Sequence, residues 1–112
     1  MIKEDTLSRV LYVDMSRRRS WVEDRRDLYE EWLGGAGVGI KLLAEECPAG
    51  AEALGPENPI ILSVGPATSL FPLASKTTAF FKSPHTKNLG GSHAGGPCAV
   101  SIRLAGYGAM VI

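Results

Sequence analysis

The chain has 112 residues, with 12 Lys+Arg balancing 12 Asp+Glu and 45% hydrophobic residues. That length is one small domain on the usual ~100–200 residues per domain, and thirteen Gly with seven Pro fall below the roughly 25–30% that marks low-complexity chains. Disorder, a collagen-like chain and a highly charged tail are excluded for the whole, and no apolar stretch approaches the ~18 residues of a membrane span.

Residues 1–5 are charged and lack a following apolar core, so they do not read as a signal peptide. Residues 8–14 are rich in β-branched and aromatic side chains and predict a strand. A polar turn over 15–19 follows, and Ser20, Trp21, Val22 and Glu23 return as the second strand of a hairpin. Arg17, Arg18 and Arg19 are followed closely by Glu23, Asp24 and Asp27, which fits a solvated turn better than a nucleic-acid patch. Asp24 reads as an N-cap, with Leu28, Tyr29, Trp32 and Leu33 forming one apolar helix face. Gly34 and Gly35 end that helix. A second helical pattern carries Ile40, Leu43 and Cys47 on one face and stops at Pro48.

A loop over 49–59 leads to residues 59–64, a short continuous apolar run with the pattern of a buried strand, closed by Gly65 and Pro66. Residues 66–76 read as a small-residue loop, and residues 77–81 as a strand ended by Lys82, Ser83 and Pro84. Residues 85–96 read as a loop with four glycines. Residues 98–104 are ambiguous. Alternation of Cys98, Val100, Ile102 and Leu104 fits a strand, while Pro97 at a first helical position and Gly106 beyond the end fit a helix. Residues 108–112 look like a buried strand. A strand at the end of the chain would leave an edge that a small protein normally covers or charges, so the chain is expected to be cut mid-domain at Ile112.

Net neutrality hides an asymmetry. Residues 1–57 hold eight Lys/Arg and all twelve acids, whereas residues 58–112 hold Lys76, Lys82, Lys87 and Arg103 and no Asp or Glu. The second half also holds both histidines, His85 and His93. It cannot supply a paired-carboxylate acid/base site, but it can hold an anion. Four cations are too few for a nucleic-acid track. Cys47 and Cys98, 51 positions apart, form no disulfide framework and no zinc or iron–sulfur spacing. They read as small buried thiols of a reduced, cytoplasmic protein.

Residues 35–39 superficially match a dinucleotide-binding turn, but Ile40 stands where the third glycine belongs and a helix precedes it. A tight helix–helix joint is the better reading. Residues 88–97 are more informative: if Pro97 opens a helix, Gly90, Gly91, Gly95 and Gly96 let backbone N–H groups approach a ligand at the positive end of the helix dipole.

The succession Trp32-Leu33-Gly34-Gly35-Ala36-Gly37, Lys41-Leu42-Leu43, Pro56-Glu57-Asn58-Pro59, Gly65-Pro66, Lys82-Ser83-Pro84, Gly95-Gly96 and Leu104-Ala105-Gly106-Tyr107 resembles the N-terminal domain of the aldehyde ferredoxin oxidoreductase family. The resemblance runs from about Arg9 to Ile112. It implies an α/β (α+β) fold of layered mixed β-sheets with packed helices, as the first part of a domain on which a tungstopterin rests. That cofactor is a bis-pyranopterin, with molybdenum in some relatives. By the same resemblance the cofactor-binding residues are Lys76, His93 and Gly95, with Gly96 beside them, and residues 97–104 are helical. Lys76 stands where arginine is typical, keeping the charge but losing the planar fork. His93 stands where asparagine is typical and donates one hydrogen bond when neutral.

The resemblance further implies an oxidoreductase that converts aldehydes to carboxylic acids. Electrons leave through a [4Fe-4S] cluster, ligated outside this segment, to ferredoxin or a similar redox protein. A homo-oligomer is compatible with this picture, and neither nucleic acid nor membrane is an expected partner. The alternatives are a family member acting on another substrate, such as an aromatic thioester, or a stand-alone cofactor-binding or accessory protein. No catalytic or metal-ligating residue is expected in these residues, and the isolated segment is expected to be inactive.

Overall fold

The computed structural model describes residues 8–112 apart from 49, 53 and 69–73. The order of elements is β1 (Arg9–Asp14), β2 (Arg19–Asp24), α1 (Arg26–Trp32), α2 (Gly35–Glu46), β3 (Ile61–Val64), β4 (Thr77–Lys82), β5 (Leu89–Ala94), α3 (Pro97–Leu104) and β6 (Ala109–Val111). The strands form one mixed sheet in the order β2-β1-β6-β3-β4-β5. The pair β1–β6 is parallel and the other neighbours are antiparallel. This is the expected mixed α+β architecture, with helices on both faces of the sheet.

Strand alternation divides the core. On one face Val10, Tyr12, Ile61, Phe80, Ala109 and Val111 meet Leu28 and Tyr29 of α1 and Val38, Leu42 and Leu43 of α2. On the other, Val64 meets Ala99 and Ile102 of α3, flanked by Leu62, Tyr107 and Met110. Tyr29, Leu42, Ile61, Val10, Val38 and Val64 are fully buried, each stabilising the fold by about 1.5–3 kcal/mol in transfer terms. Gly39 of α2 sets how near that helix can come. A Cβ on Gly39 would lie 2.5 Å from Phe80 Cδ2 and 2.8 Å from Ser63 Oγ. Ser63 in turn donates to the Gly35 carbonyl at 2.8 Å, and its oxygen lies 2.8 Å from that of Thr78.

Several local expectations are corrected. Asp24 is not an N-cap: β2 runs through it, its carboxylate accepts the Ser8 hydroxyl at 2.8 Å, and Arg25 begins α1 without a side-chain cap. Arg25 serves instead as a clamp, donating to the Tyr12 hydroxyl at 3.0 Å and to Glu45 at 2.8 Å. The buried stripe of α2 is Val38, Gly39, Leu42 and Leu43, with Ile40 exposed, because Gly39 rather than a larger residue sits against the sheet. Trp32 and Leu33 are also exposed. Cys98 is exposed and Cys47 half-buried.

The stretch read as a glycine loop contains β5, an edge strand held to β4 by its backbone. Gly90 and Gly91 pair with Phe81 and Phe80. A Cβ on Gly90 would stand 2.7 Å from Phe81 Cε2, so the absence of side chains there lets the neighbouring ring cover the strand. The last strand in the chain, by contrast, is not at an edge: β6 is flanked by β1 and β3. The expected signal-peptide-free start at residues 1–5 and part of the loop over 66–76 lie outside the described residues.

Gly39→Ala is expected to lower unfolding free energy by about 1–2 kcal/mol through overpacking, despite the ~0.5–1 kcal/mol that alanine gains in a helix interior; denaturant titration checks it. A second test concerns Tyr29, whose buried hydroxyl has no partner. Burial pushes its phenol well above the usual range, opposed by the Arg103 charge. The folded chain therefore retains a proton that the unfolded chain loses above about pH 10, so stability falls as pH rises beyond that point. Tyr29→Phe is expected to be neutral or stabilising by up to about 1 kcal/mol at pH 8. It should also flatten the alkaline decline between about pH 9.5 and pH 11, leaving the share due to Tyr12, which burial likewise raises.

Candidate cofactor-binding end of the sheet

Helices that begin with Ser, Asp or Asn satisfy their first N–H groups with a side chain. Neither α2 nor α3 does so. Gly34, the N-cap of α2, has φ 143 and ψ −167, and Gly96, the N-cap of α3, has φ 118 and ψ −162. Both backbones occupy a region open essentially only to glycine, and neither helix start has a side-chain cap bond. The α1–α2 joint is tight, as expected. Gly34 is packed near the Val64 carbonyl and Pro66, and a Cβ on Gly37 would stand 3.0 Å from the Trp32 carbonyl.

The antiparallel register brings these helix starts to one end of the sheet. Val64, the last residue of β3, pairs with Thr77, the first of β4, and Thr77 pairs with Ala94, the last of β5. Gly34 packs beside Val64, and Gly95 and Gly96 follow Ala94 into α3. The positive ends of two helix dipoles therefore lie at the same end of the sheet, that of α2 on one face beside the end of β3 and that of α3 on the other beyond the end of β5.

Three of the four expected site residues follow one another around this corner. Lys76 is exposed and immediately precedes β4, next to Thr77. Gly95 and Gly96 are exposed, and a Cβ on either would meet nothing within 4 Å. His93 is exposed within β5, opposite Thr78, and so lies in a strand rather than the expected loop. Pairing places it on the α2 side of the sheet, while Thr77 and Ala94 share the α3 side with Val64.

Sequence reading missed two contributors. The Thr77 hydroxyl is buried and has no partner, a polar group left for something else to satisfy. Arg103, buried at the end of α3, donates to the Thr68 carbonyl at 3.5 Å. The signal for the second helix start was visible: Gly34-Gly35 and Gly95-Gly96 are the same dipeptide ahead of two helices. Uncapped amides, open space at Gly95 and Gly96, the Lys76 charge and the free Thr77 hydroxyl fit a phosphate-bearing pterin. They do not fit a metal ligand set: among the described residues no group of three His, Cys, Asp or Glu could hold a metal ion. Cys47 at the end of α2 and Cys98 in α3 lie on helices of opposite sheet faces, which separates them from any shared cluster.

A family model described as the N-terminal domain of aldehyde ferredoxin oxidoreductase matches residues 10–112. The chain belongs to the aldehyde ferredoxin oxidoreductase family. It is 34% identical over 106 residues to a tungsten-containing aldehyde ferredoxin oxidoreductase of Thermococcus kodakarensis, covering 93% of this chain and 18% of that one. It is 31% identical over 108 residues to the WOR-like subunit of an aliphatic sulfonate oxidoreductase of Pyrococcus furiosus, covering 93% and 17%. Among solved structures, the active-site complex BamBC of benzoyl coenzyme A reductase, bound to 1,5-dienoyl-CoA, aligns with a TM-score of 0.83 and 30% identity. That alignment covers 96% of this chain and 16% of that one. The chain thus spans less than a fifth of the length of these relatives. Among the described residues no helix is long and apolar enough to cross a membrane.

Gly96→Ala is expected to destabilise this oxidoreductase-family domain by about 1–3 kcal/mol through backbone strain alone. Gly95→Ala, whose new methyl meets only open space, should change stability by less than about 0.5 kcal/mol. Paired thermal and denaturant unfolding distinguishes the two.

Proposed function

We propose that this segment forms one wall of a tungstopterin site in an oxidoreductase that converts aldehydes to carboxylic acids. The observation that carries the reading is the open, uncapped start of α3 at Gly95 and Gly96 with Lys76 at the same end of the sheet, where the glycine-launched start of α2 also lies on the opposite face. When bound, a tungsten or molybdenum pterin supplies the oxidation of aldehyde and water to carboxylic acid, and the protein supplies position and electrostatics. The work of this chain is binding. Backbone amides beyond Gly95 and Gly96 donate to phosphate oxygens, and the helix dipoles favour their negative charge. Lys76 adds a full positive charge that approaches from any direction, where a planar guanidinium would impose a bidentate geometry. His93 donates a single hydrogen bond toward the pterin from the sheet edge.

In the intact enzyme, electrons would leave through a [4Fe-4S] cluster held by residues beyond this segment, to ferredoxin or a similar carrier. A second reading is favoured by the likeness to the benzoyl coenzyme A reductase complex: the same cofactor wall serving reduction of an aromatic thioester. The two readings share the wall and differ in a substrate pocket outside these residues, so aldehyde-dependent and thioester-dependent dye turnover by the intact enzyme separates them.

The wall itself is tested in protein purified from cells supplied with tungstate. Tungsten is measured by mass spectrometry and pterin by fluorescence after oxidation. Lys76→Ala, His93→Ala and Gly95→Leu are each expected to lower both contents by about tenfold, the effect of losing one charged or close backbone contact. Gly95→Leu is the most telling, because it fills space that is empty in the fold. Full tungsten and pterin content in all three variants would overturn the assignment.

A further inference from the structure

A groove lies at the other end of the β4–β5 hairpin, where Lys82 pairs with Leu89. It is about 300 Å³ in volume, and its walls include Ile40, Leu43 and Cys47 of the α2 segment, Leu89 of β5, and Lys82 and Lys87. The distance along the hairpin from Ala94 is five residues, or roughly 16 Å, so this groove is separate from the cofactor-binding end and does not rest on that reading.

We infer that this groove binds a small amphiphilic carboxylate, its hydrocarbon chain on the α2–Leu89 floor and its head group at Lys82 and Lys87. The floor is apolar where solvent meets it: Ile40 and Leu89 are 41% and 46% exposed, an arrangement more typical of a binding surface than of scattered surface residues. Among the described residues lining the groove, the two lysines are the only charged ones. Lys82 is fixed in place. Its backbone N–H and C=O each bond the Asn58 side chain at 3.0 Å, and its ammonium donates to the Ala51 carbonyl at 2.5 Å. Two of its three N–H donors remain.

Lys87 is held in position through its backbone. It has φ 56, its N–H donates to the Ser83 carbonyl at 2.8 Å, and Ser83 N–H donates to the Asn88 carbonyl at 2.8 Å. Among the described residues no carboxylate pairs with either lysine. Glu52 lines the adjoining cleft that shares them, without forming an ion pair. Two lysines unopposed within an apolar groove select a negative head and an apolar tail, and the volume sits at the lower end of the ~300–1,000 Å³ of small-molecule sites. An eight-carbon acid matches that size.

The two cysteines provide the assay. Cys47 lines the groove, whereas Cys98 is exposed on α3, across the sheet. Alkylation of each thiol by iodoacetamide is followed by mass spectrometry with and without octanoate, 1-octanol or octylammonium, all as monomers. Octanoate at about four times Kd, where roughly 80% of the groove is filled, is expected to slow Cys47 by about fivefold and to leave Cys98 unchanged. Octanol and octylammonium should slow neither thiol. No slowing, or equal slowing by octanol, overturns the inference. In Lys87→Glu the ratio of Cys47 rates with and without octanoate should return to one; persistence of the protection also overturns it. Should that variant unfold, both thiols would speed up together. Lys87→Asn, which removes the charge and suits the left-handed backbone, then carries the same test.

Discussion

The close approach of α2 to the sheet governs the arrangement of everything around it. At Gly39 the helix backbone comes near enough that a methyl group would strike the Phe80 ring and the Ser63 hydroxyl. Ser63 then ties the sheet to the first turn of the same helix through the Gly35 carbonyl. One contact sets the depth of the helix, the other its position along its axis. Together they put the uncapped start of α2 beside the end of β3. A helix held only by larger side chains would ride higher on the sheet, and its first N–H groups would point elsewhere.

The far half of the sheet is built on the complementary device. Strand β5 has almost no side-chain packing of its own; its residues are largely exposed, and the aromatic rings of β4 lie against its glycines. Such a strand is weak as an independent element and depends on a full register of backbone bonds with β4, which runs from Lys82–Leu89 to Thr77–Ala94. Its thin profile also leaves the backbone open where the chain turns into α3. The Asn58 side chain stiffens the hairpin at the other end, taking both backbone groups of Lys82. The hairpin is thus anchored at one end and open at the other.

Much of this fold was legible because hydrophobic pattern and turn chemistry coincide. The β1–β2 hairpin, the two helices split at Gly34-Gly35 and the buried runs of β3 and β6 all follow from periodicity and glycine or proline punctuation. What failed to show was structure held by the backbone. Strand β5 carries no alternating apolar pattern, since its partners supply the rings. Asp24 has the composition of a cap, but a hydroxyl sixteen residues earlier engages its carboxylate. The two ends of the β4–β5 hairpin were visible as a charge asymmetry, residues 58–112 holding cations and no acid, and as the Lys82-Ser83-Pro84 turn and the glycine run after it. Lys76, Gly95 and Gly96 were individually legible by resemblance. Their meeting with the start of α2 depends on strand register, which one strand's residues do not reveal.

That segregation of charge acquires a physical reason once the register is known. Glycine at a helix N-cap in place of Ser or Asp costs only a few tenths of a kcal/mol. The two longer-lived consequences of that choice, glycine-only backbone angles at Gly34 and Gly96, add strain of about 1–3 kcal/mol wherever another residue would be forced to stand. A Ser or Asp at these angles would carry that strain, which outweighs the cap bond it could offer, so glycine is the residue this backbone path favours. An acidic cap would also cancel the positive field that the two dipoles and Lys76 create together. Residues 58–112 hold no carboxylate that could offset that potential, and glycine at both N-caps leaves the two helix starts without a side-chain cap bond. The buried Thr77 hydroxyl at that end also has no partner, and the anionic, hydrogen-bonding occupant proposed above would both meet that potential and supply a partner for it.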